Sequence, residues 1–326
     1  NGNYVHNMQK ILIYEYVTGG GLINEDLTSN LMNEAMLITN SLRNISKSSK
    51  YFYCDHLLDY RLKDYSKHNS VIIKCKDELY NTDFLRRYDY IIPIMPESEL
   101  ILYDYSKYLE SFKINTVLSD SRTIRICSDK YEFYNFISST NIKTIKTYLK
   151  YTKSPNGNEY IIKDRYGTGC SHIRITKSSK ELKKIKTNQI IQEYISGEDY
   201  SASVFFTNDN FYLLTINQQF IKVNNKNQIF LSGIMVNIKH ELYIVIISLI
   251  SKIKSILPGL QGFVGIDFLI SKKEIFIVEI NPRLTTSFVG VYETLGVNII
   301  DLIINAKLIK NVISGKQLFL NTNAKE

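Results

Sequence analysis

The stretch GFVGIDFLISKKEIFIVEINPR, residues 262–283, sets three oxygen-bearing side chains, Asp267, Glu279 and Asn281, into two otherwise apolar runs. Ser271-Lys272-Lys273 separates the runs and reads as a hairpin turn. Alternate residues of a strand share a face, so Glu279 and Asn281 point the same way at a spacing of roughly 6.5–7 Å, and Asp267 on the partner strand can face them. Two carboxylates and an amide oxygen are costly to bury among Ile, Val and Phe without a partner. A hard divalent cation offers one, and an all-oxygen set without His or Cys selects Mg2+ or Mn2+ over Zn2+. The alternative is that these are strand-end residues facing water or pairing with Arg283.

A second group is Lys163-Asp164-Arg165-Tyr166-Gly167-Thr168-Gly169-Cys170-Ser171. A lysine ending a strand before a Gly-x-Gly-x-Ser turn can set its ammonium on a phosphate while the N–H groups of the turn approach the same anion. No G-K-[ST] follows, so this is not a P-loop, and a plain hairpin is the competing reading. Third is IIQEYISGEDYSASVFF, residues 190–206. A strand edge at Glu193-Tyr194-Ile195 can hydrogen-bond a flat heterocycle through its backbone, and a carboxylate a few residues later can hold ribose hydroxyls. An ordinary strand and turn would carry the same residues.

The elements that must position these groups follow from periodicity and turn chemistry. Residues 10–16 read as a strand running into Thr18-Gly19-Gly20-Gly21 and a helix over about 24–43, without G-x-G-x-x-G spacing. Strands at 51–54, 70–74 and 90–95, with helices between them, give a small parallel sheet whose site lies at the carboxyl ends of its strands. There the glycine loop and Glu97 would share one rim. Beyond it the reading is a helix from Ser128 and a strand at 147–151. A Pro155-Asn156-Gly157-Asn158 turn leads to strands at 160–163 and 172–176. A helix around 180–186 precedes strands at 189–194, 200–207, 211–219 and 229–236. A buried helix at 240–257, the two strands of the 262–283 hairpin and a C-terminal helix over about 298–310 complete the chain.

Length and composition narrow the class. At roughly 100–200 residues per domain, 326 residues give two domains or one large α/β unit. The most apolar stretch, 242–257, is interrupted by Ser248, Ser251, Lys252, Lys254 and Ser255, so no membrane span is expected. Residues 1–7 precede Met8 and carry neither an apolar core nor a cleavage signal, which reads as a tag or disordered lead. Cys54, Cys75, Cys127 and Cys170 form no C-x-x-C pair and the histidines no metal-site spacing, which fits a reduced, cytoplasmic protein. The net charge of +8 is dispersed through a chain rich in Asn, Ile, Lys and Tyr, as an AT-rich coding bias would give, so a nucleic-acid partner is not expected.

In order and spacing, Ser128-Asp129-Lys130, Lys163 before its glycine loop, Q-E-Y-I-S-G-E-D-Y-S, G-x-D and V-E-I-N-P-R resemble the ATP-grasp superfamily across roughly residues 115–310. More narrowly, I-Y-E-Y-x-x-G-G-G, R-I-C-S-D-K and E-I-N-P-R-L-T-T-S-F-V-G resemble the archaeal tyramine–L-glutamate ligases of methanofuran biosynthesis. The resemblance implies an α/β (α+β) chain: an N-terminal parallel α/β domain over 8–114 and an ATP-grasp domain over 115–320, divided into 115–188 and 189–320. It implies ATP and two Mg2+ or Mn2+ ions as cofactors. Lys130 and Lys163 would hold the phosphates and reach the adenine side, and the loop with Gly167, Thr168, Gly169 and Ser171 would close on the γ-phosphate. Glu193, Tyr194 and Ile195 would form the adenine hinge. Asp199 takes the ribose position, where the family commonly has Glu, and Glu198 stands beside it. Asp267, Glu279 and Asn281 match the metal ligands, and Arg283 the arginine on the substrate carboxylate or acyl phosphate.

The activity implied is ATP-dependent amide formation. A carboxylate attacks the γ-phosphate to give an acyl phosphate and ADP, and an amine then displaces phosphate. L-glutamate and tyramine are the substrates the narrower resemblance names, and a homodimer stays open. Other acid, amine or peptide pairs, a phosphotransferase on the same scaffold and a non-catalytic nucleotide-binding module are the competing classes.

Overall fold

The computed structural model describes residues 8–151, 159–167, 173–308 and 315–322, so the expected turn at 155–158 and Thr168 to Ser171 lie outside the described residues. The N-terminal lobe runs β1 (Gln9–Glu15), α1 (Ser29–Lys47), β2 (Phe52–Asp59), β3 (Ser70–Ile73), a short α2 (Thr82–Leu85), β4 (Tyr90–Ile94) and α3 (Ile101–Ser111). Its sheet is parallel, in the order β3-β2-β1-β4. The five consecutive buried residues of β1 explain that arrangement, because a strand apolar on both faces needs cover on both sides. Ile38, Leu42 and Ile45 of α1 cover Ile11 and Ile13. Leu102, Tyr105 and Leu109 of α3 cover Leu12 and Tyr14.

α1 begins five residues later than periodicity indicated, because the glycines fold the chain tightly first. Gly19 N–H donates to Glu15 O (2.8 Å) and Gly21 N–H to Tyr16 O (2.8 Å). Gly20 has φ +94°, and a Cβ on Gly21 would stand 2.3 Å from the Tyr16 ring. Since β1 neighbours β4, this turn and Glu97 share the carboxyl rim of the sheet.

The chain crosses to the second lobe through residues 115–117, which run alongside β4. Two short helices follow, α4 (Ser121–Ser128) and α5 (Lys130–Ser138), each started by an aspartate that accepts first-turn N–H groups, Asp120 and Asp129. A small antiparallel sheet comes next. It is built from β5 (Thr147–Tyr148), β6 (Tyr160–Asp164), β7 (Arg174–Thr176) and β8 (Gln189–Glu193), with α6 (Ser179–Leu182) between the last two, in the order β5-β8-β6-β7.

β9 (Glu198–Phe206), β10 (Phe211–Val223), β11 (Ile229–Val236), α7 (Tyr243–Ile256), β12 (Gly262–Ser271), β13 (Glu274–Asn281), α8 (Val291–Leu295) and β14 (Leu318–Asn321) complete the chain. The six strands form an antiparallel sheet ordered β13-β12-β9-β10-β11-β14. Its alternating residues serve two cores. Val204, Phe206, Val264 and Ile266 pack under α7. Phe205 and Phe263, on the opposite face, join Phe288 and the α1 face of the N-terminal sheet in one cluster.

Further expectations change: β5 spans two residues where the reading has a strand over 147–151, and α6 ends at Leu182 instead of near 186. Residues 300–308 form the 3₁₀ turns Ile300–Ile303 and Ala306–Leu308 instead of an α-helix; Asn298 accepts the Ile300 N–H and Asp301 the Lys50 N–H, binding this segment to the end of α1. α7 is buried along one stripe only, Ile246, Ile250 and Ile253, while Ile244 is 74% exposed. Among the described residues no helix is long and apolar enough to cross a membrane.

Lys272 and Lys273 occupy both central positions of the β12–β13 turn with φ +50° and +66°. Side-chain-bearing residues pay roughly 1–2 kcal/mol for that conformation. Lys273→Gly is therefore expected to raise the unfolding free energy by about 0.5–1 kcal/mol after the extra entropy of a glycine is counted. Urea denaturation would register this as a higher midpoint at constant slope; an unchanged or lower midpoint would rule the strain out.

Candidate active site

The antiparallel register sets Asp267 of β12 directly opposite Glu279 of β13 and Asn281 opposite Gly265, with a bulge after Asp267. Asp267 accepts a hydrogen bond from Asn281 Nδ2 (3.1 Å) and another from Gln219 Nε2 on β10 (3.1 Å). Burial and then the facing Glu279 charge push the Asp267 carboxyl well above the usual aspartate range. Burial works on Glu279 in the same direction, but Lys130 and Lys163 outweigh it and hold Glu279 below its ordinary value. The two carboxyls are thus driven apart, Asp267 upward and Glu279 downward, an arrangement that a cation beside them would relieve. Among the described residues no cluster of three or more His, Cys, Asp or Glu could hold a metal. The donor set here is two carboxylates and an amide oxygen, which suits a hard ion that keeps several waters.

Two lysines approach this pair from other layers. Lys130, the first residue of α5, lies with Nζ 3.5 Å from Glu279 Oε2 and also donates to the Gly167 carbonyl. Lys163, near the end of β6, is 5% exposed, and its charge reaches Glu279. The position of Lys130 depends on Asp129, which no motif marked beyond its place in Ser-Asp-Lys. Asp129 is fully buried and caps α5 through Tyr131 N–H (3.0 Å) and Glu132 N–H (3.2 Å). It also takes a two-pronged bond from Arg165 (2.8 and 2.6 Å) and the Tyr166 hydroxyl (3.0 Å). One carboxylate thereby fixes the start of the helix and the base of the glycine loop. Of that loop only Gly167 is described; Thr168, Gly169 and Ser171 fall outside the described residues.

On the expected adenine side, Glu193 ends β8 and accepts the Tyr148 hydroxyl (2.8 Å). The Glu193 and Tyr194 N–H groups already donate to Lys146 O and Glu159 O, each at 3.0 Å. A heterocycle would therefore meet carbonyls of this segment and the Ile195 N–H. On β9 the two candidate carboxylates take opposite faces. Asp267 stands opposite Ser201, and Asp199, two residues before Ser201, shares that face. Glu198 points to the other side, where it accepts the Tyr200 hydroxyl (2.8 Å) and lines a separate cavity of about 490 Å³ with His240, Glu241 and Lys272. Asp199 also stands opposite Gln219 in the β9–β10 ladder, so Asp199, Gln219, Asp267 and Glu279 form one polar stripe across the sheet.

Arg283 closes the far end of the stripe. Its Nε and Nη2 donate to the two oxygens of Glu97, each at 2.9 Å, and Nη1 donates to Leu284 O (3.1 Å). Glu279 and Glu34 are the other acids whose charge it feels. Nothing in the sequence marks the Gln219–Asp267 contact or the pairings Asp129–Arg165 and Glu97–Arg283, because each joins residues far apart in the chain.

Burial pushes the Asp199 carboxyl up to about 6. An unfolded aspartate titrates near 3.9, so between about pH 4 and pH 6 the folded chain holds more protons than the unfolded chain and loses stability as pH rises. Asp199→Asn should abolish that loss. The variant is expected to exceed the parent by about 1–2 kcal/mol near neutral pH and to match it at about pH 4. Urea unfolding across this range checks it; the same gap at both ends would contradict the assignment.

A profile of the ATP-grasp domain matches residues 127–287, the span from the α4 terminus through the Arg283 segment. The chain is 31% identical over 290 residues to a tyramine–L-glutamate ligase of Methanocaldococcus fervens, covering 86% of this chain and 88% of that protein. It is 30% identical to the enzyme of the same name from Methanocaldococcus jannaschii, covering 87% and 85%. The crystal structure of an ATP-grasp superfamily protein from Archaeoglobus fulgidus superposes with a TM-score of 0.75 at 22% identity, over 96% of this chain and 92% of that one, which establishes the shared fold. The order of motifs and the paired lobes agree with these matches. The chain belongs to the ATP-grasp carboxylate–amine ligases, in the family of the Methanocaldococcus tyramine–L-glutamate ligases.

Proposed function

We propose that this chain joins the γ-carboxylate of L-glutamate to the amine of tyramine, forming ADP through an acyl phosphate, and so serves methanofuran biosynthesis. The observation that carries the reading is the convergence of Lys130, Lys163 and Arg283 on the Asp267–Glu279 pair. The relatives' names supply the substrates. Free Cys54, Cys75 and Cys127 fit a reducing, cytoplasmic setting.

Members of the family use ATP and a divalent metal such as magnesium. Asp267, Glu279 and Asn281 would hold the metal, which when bound supplies charge neutralisation for the transferring phosphoryl group. Lys130 and Lys163 hold the phosphates in place and balance their charge. The end of β8, Glu193 to Ile195, receives the adenine, and Asp199 the ribose hydroxyls. Arg283 orients the acid so that its oxygen lies in line with the γ-phosphate and then steadies the oxyanion that forms as the amine attacks. Burial of these groups between the two lobes limits water, which would otherwise hydrolyse the acyl phosphate.

The test is ADP release with Mg-ATP, L-glutamate and tyramine, each omitted in turn, followed by mass spectrometry of the product. Dependence on all three with a γ-glutamyltyramine mass is the expected result. Turnover with another acid and amine alone would keep the ligase and discard these substrates. In the same assay Glu279→Gln is expected to lower turnover about 100-fold or more while the far-ultraviolet spectrum stays unchanged. Near-normal turnover would remove Glu279 from the metal site.

A further inference from the structure

Glu97 belongs to none of the groups assigned above, yet it makes the closest charged contact to the site from the other lobe. Its carboxylate is 5% exposed and grips Arg283 along one edge, through Nε and Nη2 at 2.9 Å each. A guanidinium has five N–H groups. Two are held by Glu97 and one by Leu284 O. Among the described residues the remaining two, one on each terminal nitrogen, have no partner, and together they can meet a carboxylate end-on.

The backbone that carries Glu97 is itself constrained. Just beyond Met95-Pro96-Glu97, after Ser98, two consecutive side-chain-bearing residues, Glu99 and Leu100, take φ +51° and +63°, a region such residues rarely enter. The segment is tied by Leu100 N–H to Glu97 O (3.2 Å) and by Leu102 N–H to Pro96 O (3.1 Å). Unfavourable backbone kept at one spot is characteristic of sites where a side chain has to be aimed. Here the side chain so aimed is that of Glu97, which meets Arg283.

We propose that Glu97 is a positioning residue for acid-substrate binding: it fixes the side edge of the Arg283 guanidinium so that the end edge faces the substrate carboxylate. This rests on the reading of Arg283 as the residue that orients the acid. Glu97 touches neither acid nor nucleotide and acts only through Arg283.

The experiment compares the full chain with Glu97→Gln, Glu97→Asp, Arg283→Lys and the Glu97→Gln/Arg283→Lys double variant, measuring KM for ATP and for whichever acid supports ADP release. Glu97→Gln is expected to raise KM for the acid about 10-fold while KM for ATP stays within about 2-fold, and the double variant should be no worse than Arg283→Lys alone. Glu97→Asp keeps the charge but is one methylene short, so it should fall between and carries the same comparison if Glu97→Gln does not fold. An unchanged acid KM in the Glu97 variants, with Arg283→Lys impaired, would overturn the proposal and leave the Arg283 reading standing. Equal rises in both KM values would also overturn it, since a mere tie between lobes would act that way. An unchanged acid KM in Arg283→Lys would overturn the Arg283 reading and the proposal with it.

Discussion

Two carboxylates facing each other across neighbouring antiparallel strands are the constraint around which this protein is arranged. At about 4 Å and an effective dielectric near 20, like charges repel by about 4 kcal/mol, so Asp267 and Glu279 cannot both stay ionised without compensation. Neither strand has a cation to offer at that place. Compensation comes from the N-terminus of α5 and from β6, in another layer, which requires the small sheet and the two short helices to lie over the large sheet. Asp129 makes that placement definite, because the helix bearing Lys130 and the loop base bearing Arg165 share its two oxygens.

The same logic extends to the other end of the polar stripe. Arg283 arrives just after the strand that bears Glu279, and its charge is met from the N-terminal lobe by Glu97. Thr286, three residues on, donates to Glu34 of α1. The lobe of parallel strands therefore contributes acids at the rim, while the ATP-grasp part contributes the cations and the stripe itself. Asp199 and Gln219 complete the stripe through strand register alone.

What could be read in the sequence was local. The 262–283 hairpin stood out because oxygen-bearing side chains interrupt two apolar runs, and the register sets Asp267 opposite Glu279 with Asn281 on the same face. The parallel lobe was legible because its strands alternate with helices, and the burial of β1 on both faces agrees. Motif order pointed to the ATP-grasp family, and the match over residues 127–287 agrees. Asp199 could not be separated from Glu198, since adjacent strand residues differ only in the face they take and the face is set by partners. Residues 298–310 were read as an α-helix because a short apolar run looks alike in helical and 3₁₀ form until the cap at Asn298 is known. β14 is four residues long and pairs with β11, more than eighty positions earlier, a relation no window of sequence contains.

The cluster in which Ile11 and Ile13 of the first strand touch the same core as Phe205, Phe263 and Phe288 bears on how such enzymes diversify. A lobe that ended in a polar boundary could be traded between relatives like a cassette, bringing a new acceptor pocket with it. This boundary, polar at the rim, is apolar along Ile11, Ile13, Phe205, Phe263 and Phe288. Grafting a foreign N-terminal lobe would leave the face of the large sheet that also bears the polar stripe packed against the wrong shapes at Phe205 and Phe263, so a change of lobe here requires the buried seam to change with it.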